Sequence, residues 1–234
     1  MIDQLIAQIS PENISNYFRR KLPTFKPVAE TLDHILREKD YEEFSNLLKH
    51  GEVTYGNSDE LLVFSCRYKG ELSSRSSKHK QYDIAKKVLK EEFKDGAIFV
   101  FFDETGKFRF SLIRTIYDGG KRNWSTWKRY TYFVNPQKPN KTFRNQIDKC
   151  SFDSLENILK AFSIEAVTDD FYNTFNPTFD KIANSVVGDV PFSLKQDFAL
   201  LFVIRTIFIG FVQKRKWLGD NEEFLQNFWN EYKQ

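Results

Sequence analysis

Apolar and polar positions along the chain divide it into a helical lead-in, a strand-rich centre and a helical exit. Ile2, Leu5, Ile6 and Ile9 share one stripe, and Ser10-Pro11-Glu12 is a helix-start signal, so residues 2–22 read as helical. From Lys26, the positions Val28, Leu32, Ile35 and Leu36 recur at spacings of four, three and one, which predicts a second helix. A third is predicted over Tyr41 to His50, stopped by Gly51. The period then changes. Glu52 to Tyr55 alternates, and Leu61 to Tyr68 is a strand whose first half is almost wholly apolar, as in a central position. Ser73 to Ser77 is a polar loop, and Gln81 to Phe93 is a helix with Ile84, Ala85, Val88, Leu89 and Phe93 on one face. Strands follow at Ala97 to Phe102, Phe108 to Tyr117 and Arg129 to Val134. In the second of these Phe108, Phe110 and Leu112 alternate with Arg109, Ser111 and Ile113, which predicts one wetter face. After Pro136 the helical period returns, at Leu155 to Phe162, from a Thr168-Asp169-Asp170 cap through Phe171, Phe175, Phe179 and Ile182, over residues 193–215, and at Glu222 to Tyr232.

The fold class expected is therefore α+β with an α/β core: N-terminal helices over 1–50, a core over 51–136 and a helical region over 137–234. Composition fits a soluble globular chain: 234 residues, 41% hydrophobic and 29% charged. Lys and Arg total 35 against 32 Asp and Glu, so the net charge of +3 predicts no polyanion partner by itself, and any such case rests on local clustering. Two cysteines, Cys66 and Cys150, make no disulfide framework, so a reducing, cytoplasmic setting is expected. The start shows no basic segment followed by an apolar run, hence no signal-peptide pattern. The longest apolar stretch, Phe198 to Val212, covers about 15 residues, short of the roughly 20 a bilayer crossing needs, and carries Arg205 in its middle. It is expected to be a buried helix, with Trp217, Phe224, Phe228 and Trp229 packed near it or forming a surface for a further domain, and no membrane partner is expected.

The usual signatures of small-molecule chemistry are missing. His34, His50 and His79 lie far apart with no second ligand at helical spacing, and no paired-cysteine motif exists, which speaks against structural zinc. There is no G-x-S-x-G, and the only glycine pair, Gly119-Gly120, lies in a hairpin-like loop, so nucleotide binding has no phosphate loop. The central order helix, strand, turn, strand, helix, strand matches the core of PD-(D/E)xK nucleases, in which two acids hold a divalent metal and a lysine orients the attacking water. Asp59 (or its neighbour Glu60) is the first candidate acid and Lys69 the candidate lysine. The position two before Lys69 is Arg67 rather than an acid, and Glu71 is the candidate replacement. The expected catalytic set is thus Asp59, Lys69 and Glu71, with Asp59 and Glu71 as ligands if Mg²⁺ is used. The alternative is that these are the solvated ends of a strand.

Two clusters suit phosphate. Arg67, Lys69, Arg75, Lys78, His79 and Lys80 are interleaved with serines ahead of a helix, a composition that suits phosphate contacts or, alternatively, an ordinary mobile surface loop. Lys121, Arg122, Trp124, Trp127, Lys128 and Arg129 combine cations with rings that can stack on bases or fold back on the sheet.

Longer stretches carry a family likeness. Tyr17-Phe18-Arg19-Arg20-Lys21-Leu22-Pro23, the stretch from Gly51 to Tyr117 and above all Lys69-Gly70-Glu71-Leu72-Ser73-Ser74-Arg75-Ser76-Ser77-Lys78 resemble the N-terminal region of type IIG restriction–modification enzymes. So do Phe162-Ser163-Ile164-Glu165-Ala166-Val167-Thr168 and Val212-Gln213-Lys214-Arg215-Lys216-Trp217-Leu218. The resemblance implies an N-terminal fragment or stand-alone relative that meets DNA and works beside an adenine-specific methyltransferase domain, in the same or another chain. S-adenosylmethionine would belong to that domain alone, because Asn135-Pro136-Gln137 and Asn176-Pro177-Thr178 are not its Asn-Pro-Pro-Tyr motif. The resemblance leaves three roles open: a DNA-interacting module on a degenerate nuclease-like core, an active Mg²⁺-dependent type II endonuclease, and a non-catalytic docking module.

Overall fold

The computed structural model describes residues 1–22, 24–56, 59–75, 77–94, 96–118, 121–125 and 130–233, without the side chains of 59, 117, 118, 121, 122, 164–167, 169 and 170. It has an α+β architecture in which N- and C-terminal helices flank a central mixed sheet. Two helices open the chain, α1 (Ile2–Ala7) and α2 (Pro11–Lys21). The Ser10 hydroxyl accepts from the Asn13 amide at 3.1 Å, Pro11 opens the first turn of α2, Glu12 lies in it, and Arg19, Arg20 and Lys21 lie in the last. Both ends therefore complement the helix dipole.

The sheet runs β1 (Lys26–Thr31), β2 (Phe44–Tyr55), β3 (Asp59–Tyr68), β4 (Gly96–Phe102), β5 (Phe108–Asp118) and β6 (Lys121–Trp124), with β7 (Thr131–Val134) on the other half of β5. Helix α3 (Lys78–Glu91) carries the chain from β3 to β4, which pair in parallel, and the other pairings are antiparallel. Alternate residues of the central strands feed two cores. Leu61, Val63, Ile98, Val100, Phe108 and Phe110 face α1, α2, α4 (Lys141–Lys149) and α5 (Leu155–Ala161). Leu62, Phe64, Cys66, Phe99 and Phe101 face α3 and the turn at 32–36. Burial on both faces is why β3 and β4 read as nearly unbroken apolar runs. Phenylalanine dominates both cores. The Phe110 ring stacks on Phe18 and Phe162 and meets Phe143 edge-on at 5.4 Å between centroids.

Several expectations are corrected here. The helices expected over 26–36 and 41–50 are β1, two short 3-10 turns and the first half of β2. The lead-in is therefore not a helical domain of residues 1–50, because the sheet already begins at Lys26. Bulges explain the misreading. The β2–β3 register shifts between Ser45 and Leu48 and again between Lys49 and Gly51, with Asn46 at φ 53° in the first shift. Phe44 and Leu47, both fully buried, therefore sit three apart and mimic a helical period. Gly51 is no helix stop. It has φ +153°, and a Cβ there would lie 2.4 Å from the Lys26 carbonyl oxygen, so its role is to let β1 approach β2. Helix α4 and strand β6 had no counterpart in the apolar pattern.

The chain divides into two compact units, 1–167 and 168–234. The second holds most of α6 (Ile164–Ser185) together with α7 (Phe192–Lys214) and α8 (Phe224–Tyr232). Within it, the Leu225 amide donates to the Gln213 side chain at 2.8 Å, and Trp217 packs edge-on to Phe211. The burial expected for the apolar stretch is not found. Ala199 and Val203 are buried, but Phe198, Leu201, Phe202, Ile204 and Phe208 are exposed, Phe208 to 64%. The helix expected over 193–215 is α7, 23 residues long, and by length and composition alone it is long and apolar enough to cross a membrane.

Candidate functional site

Because β3 and β4 are parallel, their carboxyl ends lie side by side, with Arg67 opposite Phe102. That edge, where chains leave a parallel pair, is where α/β sheets commonly bind ligands. Three segments meet there: the loop at 69–77, the turn at 103–107 and the first turn of α3.

Asp103 organises the first two. It is 4% exposed, and its carboxylate accepts from the Leu72 amide at 2.6 Å, the Thr105 amide at 2.9 Å, the Thr105 hydroxyl at 2.8 Å and the Lys107 amide at 3.0 Å. One buried anion thus fixes the turn after β4 and pins the loop after β3. Arg109 ties the same loop to α3. It lies on β5, 2% exposed, and donates to the Gln81 side-chain oxygen and, at 2.7 Å, to the Ser73 carbonyl. Burial pushes its pKa down to about 10. The wetter face expected for β5 is thus a covered face that holds a charge. The third tie is Glu43, which accepts from the Ser77 hydroxyl at 2.9 Å and pairs with Lys80. The Lys80 hydrogen bond, outweighing partial burial and joined by that of Ser77, holds the Glu43 carboxyl below its usual range.

Beside this edge runs a groove of about 410 Å³ between residues 37–42 and the outer face of α3. Arg37, Lys39, Lys80, Lys86, Lys87 and Lys90 line it, against Asp40, Glu42 and Asp83. Lys87 pairs with Asp40 at 2.6 Å and Lys86 with Asp83 at 2.8 Å. Against the upward pull of burial, the Lys87 hydrogen bond and the Arg37 amide hold the Asp40 carboxyl low. The wall is therefore net positive by three charges, six cations against three carboxylates.

The expected catalytic set is not brought together. Asp59 opens β3, its backbone paired with Tyr55, and Lys69 follows the other end. Ten residues of strand separate them by roughly 33 Å. Glu60, the neighbouring acid, pairs with Lys94 at that far end. The Lys69 amine donates to the Tyr41 carbonyl, and Glu71 pairs with Lys107. Arg67 pairs with Glu104. The carboxylates at the carboxyl edge, Glu43, Glu71, Asp103 and Glu104, are each engaged by a cation or by several amides, and among the described residues no three metal-ligating side chains converge. The residues present do not fit the two-acid Mg²⁺ site expected from Asp59 and Glu71.

The expected phosphate ligands divide. Arg75 is exposed in the loop, Lys80 lines the groove, and Lys78 is partly buried beside Arg109. The Lys121 and Arg122 backbones pair with Asp118 and Tyr117 in β6, and Trp127, Lys128 and Arg129 lie outside the described residues. Of the two arrangements expected for its ring, Trp124 takes the folded-back one, half-buried against the core beneath α3. Sequence reading missed Glu43, Gln81, Asp103 and the groove cations beyond Lys80. A signal existed for two of these. Gln81 heads an otherwise apolar stripe, and Lys80, Asp83, Lys87 and Lys90 recur at helical spacing. Comparison of the chain with family models, with curated proteins and with solved structures finds no match.

Proposed function

We propose that the chain is a DNA-contacting module of a restriction–modification protein, built on a nuclease-like core without a working metal site. The observation that carries this reading is the cation-rich groove along α3. Its wall carries six cations against three carboxylates, and Arg37, Lys39 and Lys90 present positive charge to it without a carboxylate within ion-pairing distance among the described residues. The order α2-β1-β2-β3-α3-β4, with β3 and β4 parallel, supports a nuclease-like reading, although it carries three strands between the helices where the sequence led to two. The exposed apolar side chains of α7 support, in addition to DNA contact, a docking role toward a methyltransferase domain. Arg205 in the middle of α7 supports a cytoplasmic setting over a membrane one.

Duplex binding measured against salt tests the reading. Arg37→Ala, Lys39→Ala and Lys90→Ala together are expected to weaken binding equally for unrelated sequences. The slope of log K against log salt should shrink by roughly 0.9 per lost contact. Wild-type protein that shows no salt-dependent duplex binding removes DNA from the proposal.

A further inference from the structure

Behind the loop at 69–77, on the opposite side of the first turn of α3 from the groove, lies a second and smaller cavity. Its volume is about 20 Å³, room for a single water-sized group, and it is partly open to the surface. Lys78, Gln81 and Arg109 are its polar walls, with Ser111 and Thr131. Among the described residues no carboxylate lines it.

Three observations give this cavity a preference. Gln81 is 3% exposed, and its amide nitrogen, buried in the cavity wall, has no hydrogen-bond partner. The orientation of that amide is fixed, because Arg109 donates to the Gln81 oxygen and an arginine has no acceptor to offer the nitrogen. The N-terminus of α3 carries no side-chain cap, since Ser77 turns its hydroxyl to Glu43 instead. The positive end of the helix dipole therefore lies beside Lys78, the first residue of α3. Finally, Lys78 and Arg109 repel each other: burial, then the charge of Arg109, lowers the Lys78 pKa, and an anion between them relieves that cost.

We infer that this cavity is a phosphate-oxygen subsite, in which one oxygen enters to accept from the Gln81 amide while Lys78, Arg109 and the first turn of α3 balance its charge. The volume admits one oxygen and leaves the rest of the phosphate outside the cavity. The same chemistry is offered by a DNA phosphodiester and by free phosphate. The DNA arm rests on the function proposed above, and the free-phosphate arm does not.

The test uses the full chain and Gln81→Glu, which keeps an oxygen for Arg109, removes the amide donor and adds a negative charge. Lys78→Ala serves as a second variant. Inorganic phosphate is expected to raise the wild-type thermal midpoint by about 3 °C once it is some tenfold above Kd, relative to chloride at equal ionic strength. The rise should vanish in Gln81→Glu and shrink in Lys78→Ala. With a short duplex, Gln81→Glu should lower affinity about tenfold at fixed salt, and Lys78→Ala should reduce the salt slope by roughly 0.9. A phosphate effect lost in Gln81→Glu, without any duplex binding, supports the subsite with free phosphate as its ligand and discards the DNA reading. Duplex binding that both variants leave intact, with no wild-type response to phosphate, overturns the subsite and leaves the DNA reading standing.

Discussion

His50 shows how much a single side chain can owe to its surroundings. It sits in the second register shift of β2, 6% exposed, with Nε2 2.7 Å from the hydroxyl of Ser65 on β3. Burial lowers its pKa to about 4, against roughly 6.5 in an unfolded chain. Between those values the unfolded state binds the extra proton, so stability is whole above pH 6.5 and drains as pH falls toward 4, by at most about 1.4 kcal/mol per pH unit. Urea denaturation at pH 7.5 and pH 5 is expected to show a loss of roughly 2 kcal/mol in the wild type that His50→Asn lacks. An equal loss in both proteins would clear His50 of the effect. Nothing in the sequence marks His50 apart from His34 and His79, which lie exposed beside Glu91 and Asp83. Its burial comes from β3, and its hydrogen bond from a serine fifteen positions away.

Between elements, the turn after β4 matters more than its sequence suggests. Asp103-Glu104-Thr105-Gly106 reads as an ordinary tight turn. In the fold its first residue is the shared acceptor for amides from two segments, 72 and 105–107. Asp103→Ala leaves those buried donors unpaired and is expected to cost about 3 kcal/mol. Hydrogen exchange locates the damage: the Leu72 and Lys107 amides should lose protection while those of β4 keep theirs. Uniform loss across β4 would mean that the turn supports the sheet rather than the loop. Since the loop at 69–77 is held by Asp103, Arg109 and Glu43, the same variant should also weaken the phosphate response at α3. The elements themselves were partly legible. Alternation in β5 and the stripe of α3 located both, whereas all six residues of β1 are exposed, and the period read from Val28 comes from Leu32, Ile35 and Leu36 in the turn that follows it.

For the molecule as a whole, the separation of the acids decides the chemistry expected of it. Asp59 and Lys69 occupy opposite ends of β3, and Arg67 is held by Glu104 where a second acid would serve a metal. Supercoiled plasmid incubated with this chain and Mg²⁺ or Mn²⁺ is expected to remain uncut. Nicking that is abolished by Lys69→Ala and by Glu71→Ala would restore the endonuclease reading. The 168–234 unit raises a different matter. A helix apolar around its whole circumference is ordinarily enclosed by protein or lipid, and α7 leaves Phe198, Phe202 and Phe208 exposed.

The sequence alone determined β3, β4 and β5, whose successive residues feed opposite cores, and α3 and α5, whose apolar stripes pack on those cores, although Phe93, read as the end of the α3 stripe, lies beyond the helix and is exposed; it also located α7 and α8. It also determined the absence of a methyltransferase motif and the presence of cations and serines ahead of α3. Tertiary structure decided the rest. Two bulges turned a helical spacing into β2, because an inserted residue shifts the face of every residue after it. Strand length set Asp59 far from Lys69, a distance that no local spacing encodes. Sheet pairing carried Arg109 to Gln81, twenty-eight positions away, and helix packing set Lys87 against Asp40, forty-seven away. Contacts of that range form only when the chain has folded, so the groove and the cavity are properties of the fold, and the residues that build them look in sequence like an ordinary solvated face.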